Sequence, residues 1–219
     1  MCKTFPDFVP YDTIFERNYL WHNPFRISKA FLKQKQGVSL DAYGETPFSV
    51  LARLAKECHF TPQDRVLELG CGRGKGVFFW SHIANCSVVG IDWVPLFIHR
   101  AHRIAEQFKP RLPVEFYCQD MLGMDFSEFS VIYLYGTCLE DGVIQHLISR
   151  FENLDESVKI VTVSYPLSDY SPHFYTVKNC EASFPWGTTE IYLNSTTRCF
   201  KGSRISPSPI SIQPRAFNN

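Results

Sequence analysis

The stretch Arg65-Val-Leu-Glu-Leu-Gly-Cys-Gly-Arg-Gly-Lys-Gly76 decides the fold. Residues 65–69 are a short β-rich apolar run broken by a single carboxylate, Glu68, and suit a strand buried in a parallel sheet. The run passes without a spacer into alternating glycines at 70, 72, 74 and 76 and then into a helical stretch, 75–84. Glycine at a strand-to-helix turn lets the main chain approach a ligand where a Cβ would collide, and the helix that follows points N–H groups at the same place. A nucleotide-like ligand is implied. Spacing removes two common cradles: G-x-G-x-x-G puts its third glycine on Lys75 counted from Gly70 and on Val77 counted from Gly72, and G-x-x-x-x-G-K-[ST] is met at none of the four glycines.

Outward from this loop the chain alternates between strand-like and helical runs. Residues 88–92, 114–118, 130–135 and 159–164 read as strands, and 47–58, 96–108 and 139–151 as helices, which is the rhythm of a parallel sheet covered on both sides. After Ser164 the rhythm changes. Residues 175–183 and 188–194 are both strand-like, and the link Phe184-Pro185-Trp186-Gly187 is too short for a crossover helix, so they form an antiparallel hairpin. The expected fold is α/β: a doubly wound, seven-stranded, mostly parallel sheet with a C-terminal antiparallel hairpin and helices on both faces.

Residues 1–45 are rich in aromatics without strand alternation, are helical mainly near 27–35, and read as an N-terminal arm laid over the main domain, 46–200. The Ser- and Pro-rich stretch 201–219 reads as a flexible tail. Lys+Arg and Asp+Glu both number 22, so no general attraction to polyanions is expected and no strong nucleic-acid signal is present. Residues 111–170 depart from this balance, with ten acidic against three basic side chains, and could form an acidic rim for a cationic substrate. The eight cysteines have no C-x-x-C spacing, so neither a metal site nor a disulfide framework is expected. With no apolar run long enough to span a membrane, a cytoplasmic setting without membrane partners is the expectation.

The pattern Glu68-x-Gly70-x-Gly72-x-Gly74, an acidic residue (Asp92) ending the next strand, Gln119-Asp120 after the third, and the closing hairpin together resemble class I S-adenosylmethionine-dependent methyltransferases over about residues 45–195. The resemblance implies that Gly70, Gly72 and Gly74 admit S-adenosylmethionine, that Asp92 holds the ribose hydroxyls with Trp93 flanking the adenine, and that Asp120 accepts from the adenine amine with Met121 beside the ring. Glu68 would order the loop or reach the methionine amine through water.

The methyl acceptor is read from the ends of the fourth and fifth strands. Adenine-amine methylating enzymes carry Asn/Asp/Ser-Pro-Pro-aromatic after strand four, whereas this chain has Leu134-Tyr135-Gly136-Thr137; cytosine-C5 enzymes present Pro-Cys or a cysteine pair, and Cys138 stands alone. Tyr43-Gly44-Glu45-Thr46-Pro47, Tyr133-Leu134-Tyr135 and Ser164-Tyr165-Pro166, with Gly187 to Tyr192, look like the non-SET protein lysine methyltransferases. That likeness implies a protein substrate, a lysine reached past Tyr135, Ser164 and Tyr165, and a segment holding Tyr43, Glu45 and Thr46 over the methionine end of the cofactor. Thr46 and Pro47 also read as the N-cap and first residue of a helix. The alternatives are a small-molecule or nucleic-acid methyltransferase, or a catalytically silent cofactor-binding module.

Overall fold

The structure, a computed structural model, describes residues 5–35 and 43–196; the tail read at 201–219 lies outside them. Seven strands form one sheet in the order β3-β2-β1-β4-β5-β7-β6: β1 (Arg65–Leu69), β2 (Ser87–Asp92), β3 (Val114–Cys118), β4 (Val131–Leu134), β5 (Lys159–Val163), β6 (Tyr175–Phe184) and β7 (Gly187–Ser195). The first five are mutually parallel, β7 runs antiparallel to β5, and β6 antiparallel to β7. The order reverses between β1 and β4, and ligands of open α/β sheets bind beyond the strand ends at such a point.

Strand alternation divides the core. Val66, Val131, Tyr133 and Val161 face α3 (Phe48–Glu57), α4 (Lys75–Ala84) and α5 (Pro95–Ala105), while Leu67, Leu69, Ile132 and Ile160 face α6 (Asp141–Phe151). Trp80 of α4 is wholly buried and donates its indole N–H to the Leu51 carbonyl at 2.9 Å, so this large side chain enters the core without an orphaned donor.

The aromatic-rich arm is built into this core more deeply than a strap over it. It contains α1 (Val9–Arg17), which the sequence reading missed, and α2 (Pro24–Leu32), where helix was expected. Phe8, Tyr11 and Phe15 recur at helical spacing and are buried. Phe8 stands edge-on to Phe79 at 5.1 Å and Tyr11 edge-on to Phe108 at 4.8 Å, contacts worth about 0.5–1.5 kcal/mol each beyond their burial. Pro10 obscured the helix, yet it falls in the first turn, where its missing N–H is harmless. Asn23 starts α2 by accepting from Phe25 N and Arg26 N.

The start of α3 differs from expectation. Pro47, not Thr46, is the N-cap residue, and no side chain caps the helix. The Thr46 hydroxyl instead pairs with the Tyr133 hydroxyl at 2.7 Å, because both are buried and each needs a partner.

Candidate functional site

The loop after β1 folds as its glycines require. Gly70, Gly72 and Gly74 have φ of 74°, 53° and 83°, all left-handed. At Gly72 the requirement is also spatial, since a Cβ would lie 3.0 Å from the Tyr43 ring. Asp92, at the end of β2, fastens the turn: Gly72 N donates to Oδ2 and Val94 N to Oδ1, each at 2.8 Å. Burial raises the Asp92 pKa and these backbone N–H groups oppose the rise. A carboxylate oxygen accepts more than one hydrogen bond, so both oxygens keep capacity toward the cleft they line.

That cleft, of about 300 Å³, opens over the switch point. Gly70, Gly72, Asp92, Trp93, Asp120 and Met121 line it together with Tyr135 to Glu140 and Val143. Trp93 is 40% exposed and carries the Lys35 ammonium 4.8 Å over its ring. Asp120 accepts from Leu122 N at 2.9 Å and caps the single turn that holds Met121.

A smaller recess of about 20 Å³ continues from the cleft and is lined by Tyr43, Glu45, Thr46, Glu68, Arg73 and Lys75, among others. Arg73 donates to both oxygens of Glu45, at 2.5 and 2.9 Å, and Tyr43 donates its hydroxyl to Oε1 at 2.5 Å. Burial would raise the Glu45 pKa, but the Arg73 hydrogen bonds and charge outweigh it and hold the carboxyl below its ordinary value. Arg73 lies 4.5 Å over Phe15 and 4.8 Å over Tyr19, so the arm, the segment 43–46 and the glycine loop are locked together.

Glu68 lies under the first turn of α4, where a Cβ on Gly76 would be 2.7 Å from its carboxyl oxygens. Burial pushes its pKa to about 8, opposed by the Val77 backbone hydrogen bond and reinforced by the charges of Asp92 and Glu45. Its Oε2 is buried without a partner. A turn cleared of Cβ atoms, a strand-end carboxylate with spare acceptor capacity and an unpartnered carboxyl oxygen suit a ligand with a diol at one end and an amine at the other, as S-adenosylmethionine has.

Several expected site residues stand elsewhere. Gly74 is the left-handed N-cap of α4 and touches neither space; a Cβ there would lie 2.6 Å from Phe116, so this glycine serves helix packing and not ligand entry. Of Tyr135, Ser164 and Tyr165, only Tyr135 lines the cleft. Ser164, with φ of 74°, sits on the surface and accepts from Thr189 Oγ1 at 3.0 Å. The Tyr165 hydroxyl is buried behind Gly136, where a Cβ would be 2.4 Å away, and has no partner. The two turn away because β5 ends at Val163 and the next residue enters the left-handed region, which redirects the chain. Sequence reasoning missed Ser28 and Leu32 of α2, and also Thr137, Leu139, Glu140 and Val143; their helical and loop positions carried no motif.

Residues 66–155 match the family described as Methyltransferase domain. Over 98 residues the chain is 30% identical to the carboxy-S-adenosyl-L-methionine synthase of Idiomarina loihiensis, and the match spans 40% of each protein. An RNA methyltransferase from Salinibacter ruber, solved with S-adenosyl-L-homocysteine, has a TM-score of 0.59 at 23% identity and covers 74% of this chain and 99% of its own. TrmN from Thermus thermophilus gives 0.59 at 15% identity, with 78% and 52% covered. These structural likenesses are of fold. With the glycine loop and the Asp92 cradle they define the class of fold: residues 66–155 match a methyltransferase domain, set in a sheet of the kind seen in these methyltransferases, and the chain spans 40% of the length of the curated relative that it matches. None of the three relatives is described as a protein lysine methyltransferase.

Proposed function

We propose that this chain transfers a methyl group from S-adenosylmethionine to an amine nitrogen, that of a lysine side chain in a protein substrate. The charge of the cleft wall carries this reading: its charged side chains among the described residues are Asp92, Asp120 and Glu140, with no Lys or Arg, and Glu140 is the one left to the acceptor once the cofactor takes the two aspartates. A phosphate backbone is held by cations that release its counterions, and such a wall offers none. An alkylammonium is drawn to it. Glu140 opens α6 with Asp141 beside it, within the acidic block 111–170.

The bound cofactor supplies an electrophilic methyl on a cationic sulfur. The protein aligns the acceptor, excludes water and favours the neutral amine. The surroundings of Tyr135 support this reading. Its ring is half-buried beside Phe184 at 5.6 Å, a partly dry aromatic surface that disfavours a charged amine while tolerating a sulfonium across the ring face. Tyr43, Glu45 and Thr46 cover the recess from above, and Tyr165 supports Gly136 from behind.

Incubating the protein with tritiated S-adenosylmethionine and cell lysate, then with protease or nuclease, tests this. The expected label is removed by protease and maps to lysine by peptide mass spectrometry. Label removed by nuclease, or confined to small molecules, sinks the lysine reading; cofactor binding without any transfer identifies a silent module.

A further inference from the structure

We infer that Trp186, at the tip of the β6–β7 hairpin, is a positioning residue for methyl transfer and acts through the hydroxyl of Tyr135. The inference rests on the cofactor and amine reading above. Tyr135 is one of the few residues, with Tyr43, Gly44 and Gly70, that line both the cleft and the recess. It therefore stands where the two spaces, one lined by Asp92 and the other by Glu68, adjoin.

Four contacts fix this tyrosine, one of them a side-chain hydrogen bond with Thr137. Its ring stands against Phe184 at 5.6 Å. Its hydroxyl end abuts Gly44, where a Cβ would lie 2.9 Å from the oxygen. The hydroxyl accepts the indole N–H of Trp186 at 2.5 Å. Trp186 is placed by the shortest possible hairpin, in which Phe184 pairs with Gly187 across the turn Pro185-Trp186, and its ring stacks on Phe184 at 5.3 Å and 20°.

Trp186 is 53% exposed, and the stack on Phe184 leaves the rest of its ring in solvent. What the inward-turned indole accomplishes is to occupy one acceptor direction of the Tyr135 oxygen. The hydroxyl hydrogen and the remaining lone pair are then restricted to directions off the hairpin, where an amine acceptor can meet them. Without that donor the hydrogen bond with Thr137 alone is left to orient the hydroxyl.

Calorimetry tests this without knowledge of the acceptor. The probes are S-adenosylhomocysteine and sinefungin, an analogue that bears an amine where the cofactor carries its methylsulfonium. Wild-type protein is expected to prefer sinefungin. In Trp186→Phe, which keeps the stack on Phe184 but loses the donor, S-adenosylhomocysteine affinity should stay within about twofold while the preference for sinefungin falls about tenfold, the loss expected for one hydrogen bond. The double variant with Tyr135→Phe should be no worse than Tyr135→Phe alone, because Trp186 acts through that hydroxyl.

A preference unchanged by Trp186→Phe, or losses that multiply in the double variant, would overturn the inference. So would wild-type protein that binds neither probe. If Trp186→Phe melts well below wild type, Trp186→His, which restores an N–H donor, must recover part of the preference, and failure to do so refutes the role. Dependence on Trp186 together with label found on RNA would remove the lysine acceptor and leave the positioning role standing.

Discussion

The two sides of the site are built differently. On the cofactor side, Gly72 and Asp92 are 20 residues apart and meet because β1 and β2 are adjacent parallel strands whose ends are level, Leu69 beside Ile91. On the acceptor side, Tyr135 meets Gly44 and Trp186, 91 and 51 residues away, through the arm junction and the hairpin tip. Regular strand pairing brings the first set together, so its spacing can be read along the chain. The second depends on where the segment 43–47 and a hairpin come to rest.

The cofactor side should break most sharply. Gly72→Val is expected to reduce S-adenosylhomocysteine binding more than 100-fold in calorimetry, with secondary structure by circular dichroism intact, because a side chain there meets Tyr43 and strains a φ of 53°. Normal binding by this variant would move the cofactor elsewhere. Asp92→Ala should cost about 2 kcal/mol of cofactor affinity, the worth of charge-assisted hydrogen bonds to a diol, and an equal affinity would remove Asp92 from the site.

On the acceptor side, Tyr135→Phe is expected to lower kcat about tenfold, the loss of one hydrogen bond made at the transfer step, while cofactor affinity stays within about twofold. A change confined to cofactor binding would place Tyr135 on the other side of the comparison.

Glu68 sharpens the cofactor side by pH. Its pKa is about 8 in the folded protein against an ordinary 4.5. Below about pH 4.5 it is protonated in both states; between there and pH 8 only the folded state keeps the proton, so stability conferred by the neutral carboxyl is lost as pH rises through this window. Thermal melts should therefore show wild type losing ground to Glu68→Gln from pH 5 to 8, with the gap constant above about pH 9. A gap independent of pH would mean that Glu68 is charged throughout. The smallest effect is expected from Ser164→Ala, with turnover within about twofold, since among the described residues the hydroxyl meets Thr189 alone; a large loss would restore Ser164 to the acceptor side.

Much of the fold was legible. Strands β1 and β3 and helix α4 begin and end where hydrophobic pattern and glycine placed them, and the brevity of Pro185-Trp186 dictated the hairpin. In the site, Asp92, Asp120 and Met121, picked out by motif position, line the cleft. Gly74 went astray because a left-handed turn needs glycine whether the cleared space faces a ligand or a neighbouring ring, and a sequence records only the glycine.

By itself the sequence determined the parallel sheet, the glycine turn and the strand-end carboxylate, because each follows from interactions among residues close along the chain or at a fixed strand register. Tertiary structure decided that the arm enters the core, that Arg73 is spent on Glu45, and that Ser164 and Tyr165 turn away while Trp186 reaches Tyr135. Those outcomes depend on how distant surfaces pack and on which buried polar groups find partners, and no local pattern carries that information.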